Sequence, residues 1–210
     1  VDSVLKGTDT TSPYSMTLNS TTLSNASHAL TAKAFDAAGN TKTSTAVNFT
    51  INNTATIEQI KNGGFESGST NWTATSGVIT NDASFAAYAG SWKAWLNGYG
   101  ATHTDSAYQT ITIPSAATQA TLTFWLDVAT DETTTTSAYD TLKAQVRNSS
   151  NTVLATLATY SNLNAAGGYS QKSFNLLAYK GQTIRIYFLG VKGSQVATSF
   201  VVDNVSVITK

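Results

Sequence analysis

The chain has 210 residues and no net charge, with 12 basic against 12 acidic side chains and only 11% of its residues charged. That balance excludes a basic nucleic-acid surface, an acidic tail and a polybasic membrane patch. It has no cysteine, which removes disulfide frameworks and cysteine-based zinc sites.

Thr and Ser together number 59 and Asn adds 16, a composition of strands with polar, Thr-covered faces rather than helices. The length allows one large or two modest domains, each able to bury a core. No apolar run reaches the 18 or so residues of a membrane-spanning helix. Nothing near Val1 reads as a signal peptide, so such a segment is expected to be absent or already removed. The cysteine-free, Thr-rich composition fits a secreted or cell-surface bacterial protein. The seven Asn-x-Ser/Thr triplets, starting at Asn19, Asn25, Asn48, Asn52, Asn71, Asn148 and Asn204, follow largely from composition.

Residues 1–55 alternate in short strands. Tyr14, Met16 and Leu18 share one face, residues 29–35 repeat the pattern, and residues 46–51 do so again. Asp36-Ala37-Ala38-Gly39-Asn40 reads as a turn. His28 lies at a strand start, away from His103, and two separate histidines do not make a zinc site, so a structural or surface role is expected for His28. Residues 52–56 form a polar hinge that divides the chain into domains at 1–55 and 56–210.

Beyond the hinge, strand signals recur at Gly77–Thr80, Ser91–Leu96, Ala107–Ile113, Thr121–Val128, Thr141–Arg147, Thr152–Tyr160, Tyr169–Asn175, Thr183–Leu189 and Ser199–Ile208. Asn97-Gly98, residues 148–151, Ala166-Gly167-Gly168 and Lys180-Gly181-Gln182 separate them as turns. Hairpin spacing of this kind predicts an all-β, two-sheet antiparallel jelly roll. Residues 176–179 allow one helical turn at most. Alternation places Phe124, Leu126, Val128, Leu142, Ala144, Val146, Ile184, Ile186 and Phe188 in the core. The opposite parity carries Trp125, Asp127, Lys143, Gln145, Arg147, Arg185 and Tyr187, read as one sheet's outer band. That band is either a sugar-binding face or an ordinary outer face covered by a loop. Trp72 and Trp92 are expected to plug the core.

Glu66 and Asp203 stand 137 positions apart in short apolar stretches, where a lone carboxylate is costly. Such acids imply ion pairs, backbone N–H acceptance or a shared cation. A second group, Asp127, Asp131, Glu132 and Asp140 with Asp105 before it, reads as a second cation site, as polar contacts for a sugar, or as acids flanking a solvated Thr-rich loop. No Gly-x-Ser-x-Gly, His-Glu-x-x-His or phosphate-loop motif occurs. Asp131, Glu132 and Asp140 lie in or near one loop rather than on cleft walls, and the chain is expected not to be an enzyme.

Two resemblances add to this reading. Val1-Asp2-Ser3-Val4, Thr11-Ser12-Pro13-Tyr14-Ser15, His28-Ala29-Leu30-Thr31-Ala32 and Phe35-Asp36-Ala37-Ala38-Gly39-Asn40 resemble bacterial Ig-like domains. Set against the roughly 100 residues of an Ig-like sandwich, residues 1–55 correspond to a partial domain. Its leading strands would lie outside the sequence or come from a neighbouring chain by edge pairing. Asn62-Gly63-Gly64-Phe65-Glu66 with Trp72, Ala89-Gly90-Ser91-Trp92, and Phe200-Val201-Val202-Asp203-Asn204-Val205 resemble carbohydrate-binding-module jelly rolls of the galactose-binding-like type.

A closer likeness is to C-terminal β-domains of secreted bacterial proteins such as kumamolisin-type peptidases. It runs through residues 95–100, 131–136, 139–142 and 156–163. The module resemblance implies one structural calcium held by Glu66 and Asp203, with carbonyls near Ala89–Trp92 and the Asn62–Gly64 turn. It also implies polysaccharide or surface-glycan binding, for which Trp95, Tyr99, Trp125, Tyr139 and Tyr160 are the candidate stacking rings and Asp131 and Asp140 the candidate hydroxyl partners. The alternative is a structural spacer or self-assembling subunit, its Ig-like half completed by another copy.

Overall fold

The computed structural model describes residues 1–53, 55–194 and 196–210; the proposed hinge at 52–56 therefore includes one position, Thr54, outside the described residues. The chain divides into two compact units, Val1–Ala55 and Thr56–Lys210. Among the described residues no helix is long and apolar enough to cross a membrane.

The first unit holds two short antiparallel ladders. β1 (Ser27–Leu30) pairs with β4 (Val47–Thr50), and β2 (Lys33–Phe35) with β3 (Thr41–Thr43). The run expected as one strand over residues 29–35 is thus two strands, broken where Ala32 N–H turns aside to Ser44 Oγ at 3.0 Å. Residues 14–18 are not a strand, and Tyr14 is 74% exposed, because alternation without a partner ladder leaves backbone groups unpaired. The Asp36–Asn40 turn does form, and it joins β2 to β3, a strand the alternation did not show. The Asp36 carboxylate organises it, taking the N–H of Ala38 (2.9 Å) and Asn40 (2.8 Å) and the Asn40 amide (2.7 Å).

The second unit is an antiparallel sandwich. Its strands are β5 (Ile57–Glu58), β6 (Thr73–Ala74), β7 (Ile79–Thr80), β8 (Lys93–Asn97), β9 (His103–Thr112), β10 (Ala120–Thr130), β11 (Thr141–Arg147), β12 (Val153–Ser161), β13 (Ser170–Asn175), β14 (Thr183–Lys192) and β15 (Thr198–Thr209). One sheet runs β13-β10-β15-β8-β7, with β5 adding to the free part of β15; the other runs β12-β11-β14-β9-β6. All pairings are antiparallel. The single turn foreseen near residue 177 is a 3-10 turn at Leu177–Tyr179.

The core lies between the sheets. Phe124, Leu142, Val146, Ile184 and Phe188 are fully buried, as period-two alternation requires, and Leu126, Val128, Ala144 and Ile186 nearly so. Phe124 and Phe188 meet edge to face, centroids 5.0 Å apart. Trp72 plugs the core beside Phe65 at 4.9 Å, and its indole N–H donates to Asn62 O at 2.9 Å; Trp92 packs against the same cluster, partly buried.

Candidate functional site

The Asn62–Gly68 turn is built on special backbone. Asn62 and Phe65 have φ of 53° and 60°, and Gly63 lies so close to β15 that a Cβ there would overlap the Val205 carbonyl. Val205 N–H returns a bond to Gly63 O at 2.9 Å. The turn thereby delivers Glu66 to residues 89–92, where its Oε1 accepts the N–H of Ser91 (2.9 Å) and Trp92 (2.8 Å). Asp203, fully buried on β15, accepts Ala89 N–H at 3.0 Å and its neighbour Asn204 N–H at 2.6 Å. Both acids therefore grip the same short segment. Burial, opposed by these backbone bonds and reinforced by the Glu66 charge, raises the Asp203 pKa above the usual carboxylate value.

Gly90 sits in this cradle with φ of 68°, and a side chain there would collide with the Glu66 carboxylate. Among the described residues no donor reaches Glu66 Oε2, and no group of three His, Cys, Asp or Glu side chains is placed to hold a metal. The cradle offers two carboxylates; the Asn62 and Gly63 carbonyls are already taken, by Phe65 N–H and Val205 N–H. That donor set is all oxygen, the kind calcium takes.

Residues 81–92 continue from the cradle as a strap over the outer face of the six-stranded sheet. Phe85 packs on Trp95 (5.7 Å) and Tyr88 stacks on Trp125 (3.9 Å, 12° between planes). Tyr169 donates its hydroxyl to Ala86 O at 2.9 Å, and the Lys93 ammonium bonds Asp82 O. Under the strap Lys93, Val201 and Asp203 lose essentially all exposure. Trp125 therefore belongs to a loop-covered face, the plainer of the two readings of the outer band.

That band is also not one surface. Trp125 and Asp127 lie on the six-stranded sheet, whereas Lys143, Gln145, Arg147, Arg185 and Tyr187 lie on the five-stranded sheet. Parity assigns a side chain to one face or the other of its own sheet; it does not say which sheet holds the strand. On the five-stranded sheet Tyr108 and Tyr187 stack in parallel at 5.2 Å and 7°. Arg147 lies 3.6 Å over Tyr187 and Arg185 4.8 Å over Tyr108. Arg147 also donates to Gln145 Oε1 at 2.9 and 2.6 Å. These rings are capped by guanidinium groups instead of lying open.

Trp95 and Tyr99 flank a concavity of about 210 Å³ at the end of β8, lined further by Gly77, Thr80, Asp82, Asn97 and Gly98. Asn97 (φ 63°) and Gly98 (φ 85°) turn the chain there. Gly98 passes so near the indole that an added Cβ would lie 2.9 Å from Trp95 Nε1, an N–H with no acceptor among the described residues. Tyr99 is 39% exposed and rests on the His103 ring, centroids 4.2 Å apart; burial raises its phenol pKa.

The remaining sequence candidates lie elsewhere. Asp131 is exposed, and Tyr139 is 44% exposed, its N–H held by Asn162 Oδ1 at 2.9 Å. Asp140, expected to bond a ligand hydroxyl, is fully buried; it takes Gly193 N–H at 2.7 Å and stands 3.5 Å from the Lys192 ammonium. Its charge is engaged in the fold. Tyr160 borders a small cavity of about 120 Å³ with Lys172 5.3 Å over its ring, and burial raises its pKa. Sequence reading missed Tyr88 and Phe85, which sit in a loop with no periodicity, Tyr169, which was placed only as the start of an expected strand, and Tyr108, whose importance depends on the cross-strand Tyr187. In the first unit His28 is buried as a structural residue, Nδ1 2.5 Å from Asp2 and Nε2 2.8 Å from Ser24 O.

No protein-family model matches the chain, and no curated protein matches it in sequence. Solved structures do match in fold. A family 61 carbohydrate-binding module, TmCBM61, solved with β-1,4-galactotriose, superimposes with a TM-score of 0.54 at 12% identity, over 73% of this chain and 99% of that one. The enzymatically active domain of tailspike protein 4 from bacteriophage CBA120 gives 0.50 at 17% identity, over 73% of this chain and 22% of that one. The xylan-binding CBM22-1 domain of Paenibacillus barcinonensis Xyn10C, at 0.42, 11% identity, 73% and 92%, adds nothing to the assignment. At such identities the likeness is one of architecture: the chain contains an antiparallel β-sandwich jelly roll.

Proposed function

We propose that residues 56–210 are a non-catalytic carbohydrate-binding module of a secreted or cell-surface protein, docking on a polysaccharide or surface glycan. The observation that carries this reading is the concavity between Trp95 and Tyr99. It combines an aromatic wall with polar side chains, the combination that a sugar's apolar ring face and hydroxyls require. At about 210 Å³ it is smaller than the usual ligand pocket of roughly 300–1,000 Å³ and suits one ring or a chain end. The jelly-roll architecture supports the same class of ligand. Affinity electrophoresis or a glycan array tests it. Tyr99→Ala and Trp95→Ala should each weaken binding about tenfold or more while the far-ultraviolet spectrum stays unchanged. Silence across neutral and charged glycans, or binding indifferent to both substitutions, would reject the assignment.

We further propose that Glu66 and Asp203 hold a structural calcium. Two carboxylates on one segment, with a left-handed glycine leaving room beside them, support this, as does the cost of burying Asp203 charged. Calcium would offset the repulsion between the acids and fix residues 89–92 to β15.

A second reading, self-association through the first unit, has its own support. Val1 and His28 are the buried residues of that unit among those described, while Leu5, Tyr14, Phe35 and Val47 are 80, 74, 68 and 61% exposed. Apolar side chains without a core favour pairing with another copy. Sedimentation over a wide concentration range tests it: a strict monomer at high concentration removes this reading and leaves the module untouched.

A further inference from the structure

Asn97, Asp105 and His103 come together beside the concavity, and their polar atoms do not satisfy one another. Asp105 is fully buried on β9. Its Oδ2 accepts Asn97 N–H at 2.8 Å, but its Oδ1 has no hydrogen bond among the described residues. Asn97 is 4% exposed, and neither its amide oxygen nor its amide nitrogen has a partner. Interior polar atoms left in this way carry an uncompensated desolvation penalty unless something occupies them.

The three groups are neighbours by construction. Asp105 lies directly opposite Gly190 in the β9–β14 ladder, where facing Cβ positions are about 4.5–5.5 Å apart. A Cβ on Gly190 would lie 2.7 Å from Asn97 Oδ1, so the amide fills the space a side chain at 190 would take, while Asn97 N–H reaches Asp105 Oδ2 at 2.8 Å. His103, two residues along β9, brings Nε2 to 3.1 Å from Asp105 Oδ1, out of line for a hydrogen bond. Two ligand atoms about 2.0–2.2 Å from one ion, at right to tetrahedral angles, stand roughly 3–3.5 Å apart. The observed separation fits a chelating pair as well as a direct ion pair between the two side chains.

We propose that Asn97 Oδ1, Asp105 Oδ1 and His103 Nε2 form a divalent-cation site separate from the Glu66–Asp203 cradle. One imidazole nitrogen with two oxygens favours a first-row transition ion over calcium or magnesium, which take oxygen. His103 is 41% exposed, which leaves a coordination position open to solvent. Because Tyr99 rests on the His103 ring, a bound ion would also steady one wall of the concavity.

Calorimetric titration with Zn²⁺ and, separately, Mn²⁺ at neutral pH tests the proposal on a Glu66→Gln/Asp203→Asn background, which removes the other cradle. One equivalent per chain is expected. His103→Ala, Asp105→Asn and Asn97→Gly should each weaken binding by about tenfold or more. Asn97→Gly removes the amide but keeps the left-handed backbone, and His103→Ala alters a half-exposed ring, so these variants report even if Asp105→Asn fails to fold. If that background itself fails to fold, the same titrations on the native chain with calcium in excess decide the matter. Absence of saturable binding for both ions overturns the site. So does loss with His103→Ala alone while Asn97→Gly binds unchanged, which marks an adventitious surface histidine.

Discussion

The two units are written in the same Thr- and Ser-rich, alternating language, yet they are held together differently. Residues 56–210 close two sheets over a continuous apolar core, with Phe124, Phe188 and Phe200 fully excluded from solvent. Residues 1–55 have ladders of three or four residues and rely on carboxylates that tie down turns. Asp9 takes Ser15 N–H at 2.8 Å, Asp36 organises the β2–β3 turn, and Asp2 reaches both His28 and Ala29 N–H. Alternation makes a strand-forming sequence; it takes a second sheet to turn that into buried area.

The contrast can be broken most forcefully in the cores. Phe124→Ala should cost about 3–5 kcal/mol in the second unit. Phe35→Ala in the first should stay within about 0.5 kcal/mol for the isolated chain. Denaturant unfolding followed by hydrogen exchange separates the units, and equal losses would refute the distinction.

Next in size is the cradle. Asp203→Ala removes the acceptor of two N–H groups, at about 1–3 kcal/mol for each one left buried. Calcium should raise the melting temperature of the native chain, and chelator should lower it, with neither acting on the variant. A native chain indifferent to both would remove the metal while leaving the hydrogen-bond role intact.

A smaller effect sharpens the comparison through pH, where on the acid side the units respond with opposite sign. In the first unit Asp2, Asp9 and Asp36 lie below their ordinary 3.8, chiefly through hydrogen bonds from Ala29, Ser15 and Asn40 respectively. Their contribution is present above pH 3.8 and is lost as pH falls through the lowered values. His28 is raised above 6.5 by its bonds to Asp2 and Ser24. Its contribution is complete below 6.5 and is lost as pH rises through the raised value. The first unit should therefore be steadiest between about pH 4 and 6.5. Without calcium, Asp203 acts the other way: burial raises its pKa, so the fold gains stability as pH falls through that value and Asp203 takes up a proton. Two-dimensional NMR across pH 3 to 9, with and without calcium, reads both trends; parallel behaviour of the units on the acid side would contradict them.

Much of the second unit was legible in its residues. β11 spans the foreseen Thr141–Arg147, and the other long strands differ by a few residues at their ends. The nine core positions named from alternation are buried, because a half-buried strand must alternate once every two residues. Of the two acids expected to be costly, Asp203 is buried while Glu66 is exposed, and both meet on one segment.

What the residues could not show were relations across strands and loops. Trp125 and Tyr187 share a parity but not a sheet. Asp140 looked like a loop acid and is buried against Lys192. Residues 14–18 alternate as well as any strand and have no ladder to join. Tyr88 and Phe85 lie in a strap with no period at all. The pairing of Asn97 with Asp105 and His103 depends on the empty space at Gly190.

By itself, then, the sequence determined the class of fold, the inward set of the jelly roll and one acid, Asp203, that had to be satisfied because it is buried. These follow from local rules: side-chain period, turn chemistry and the cost of a buried charge. The tertiary structure alone decided which faces stay open, because burial of an outward side chain depends on what the rest of the chain lays over it. The strap closes the face at Trp125, guanidinium groups cap the tyrosines on the other sheet, and the turn after β8 leaves Trp95 and Tyr99 around the concavity.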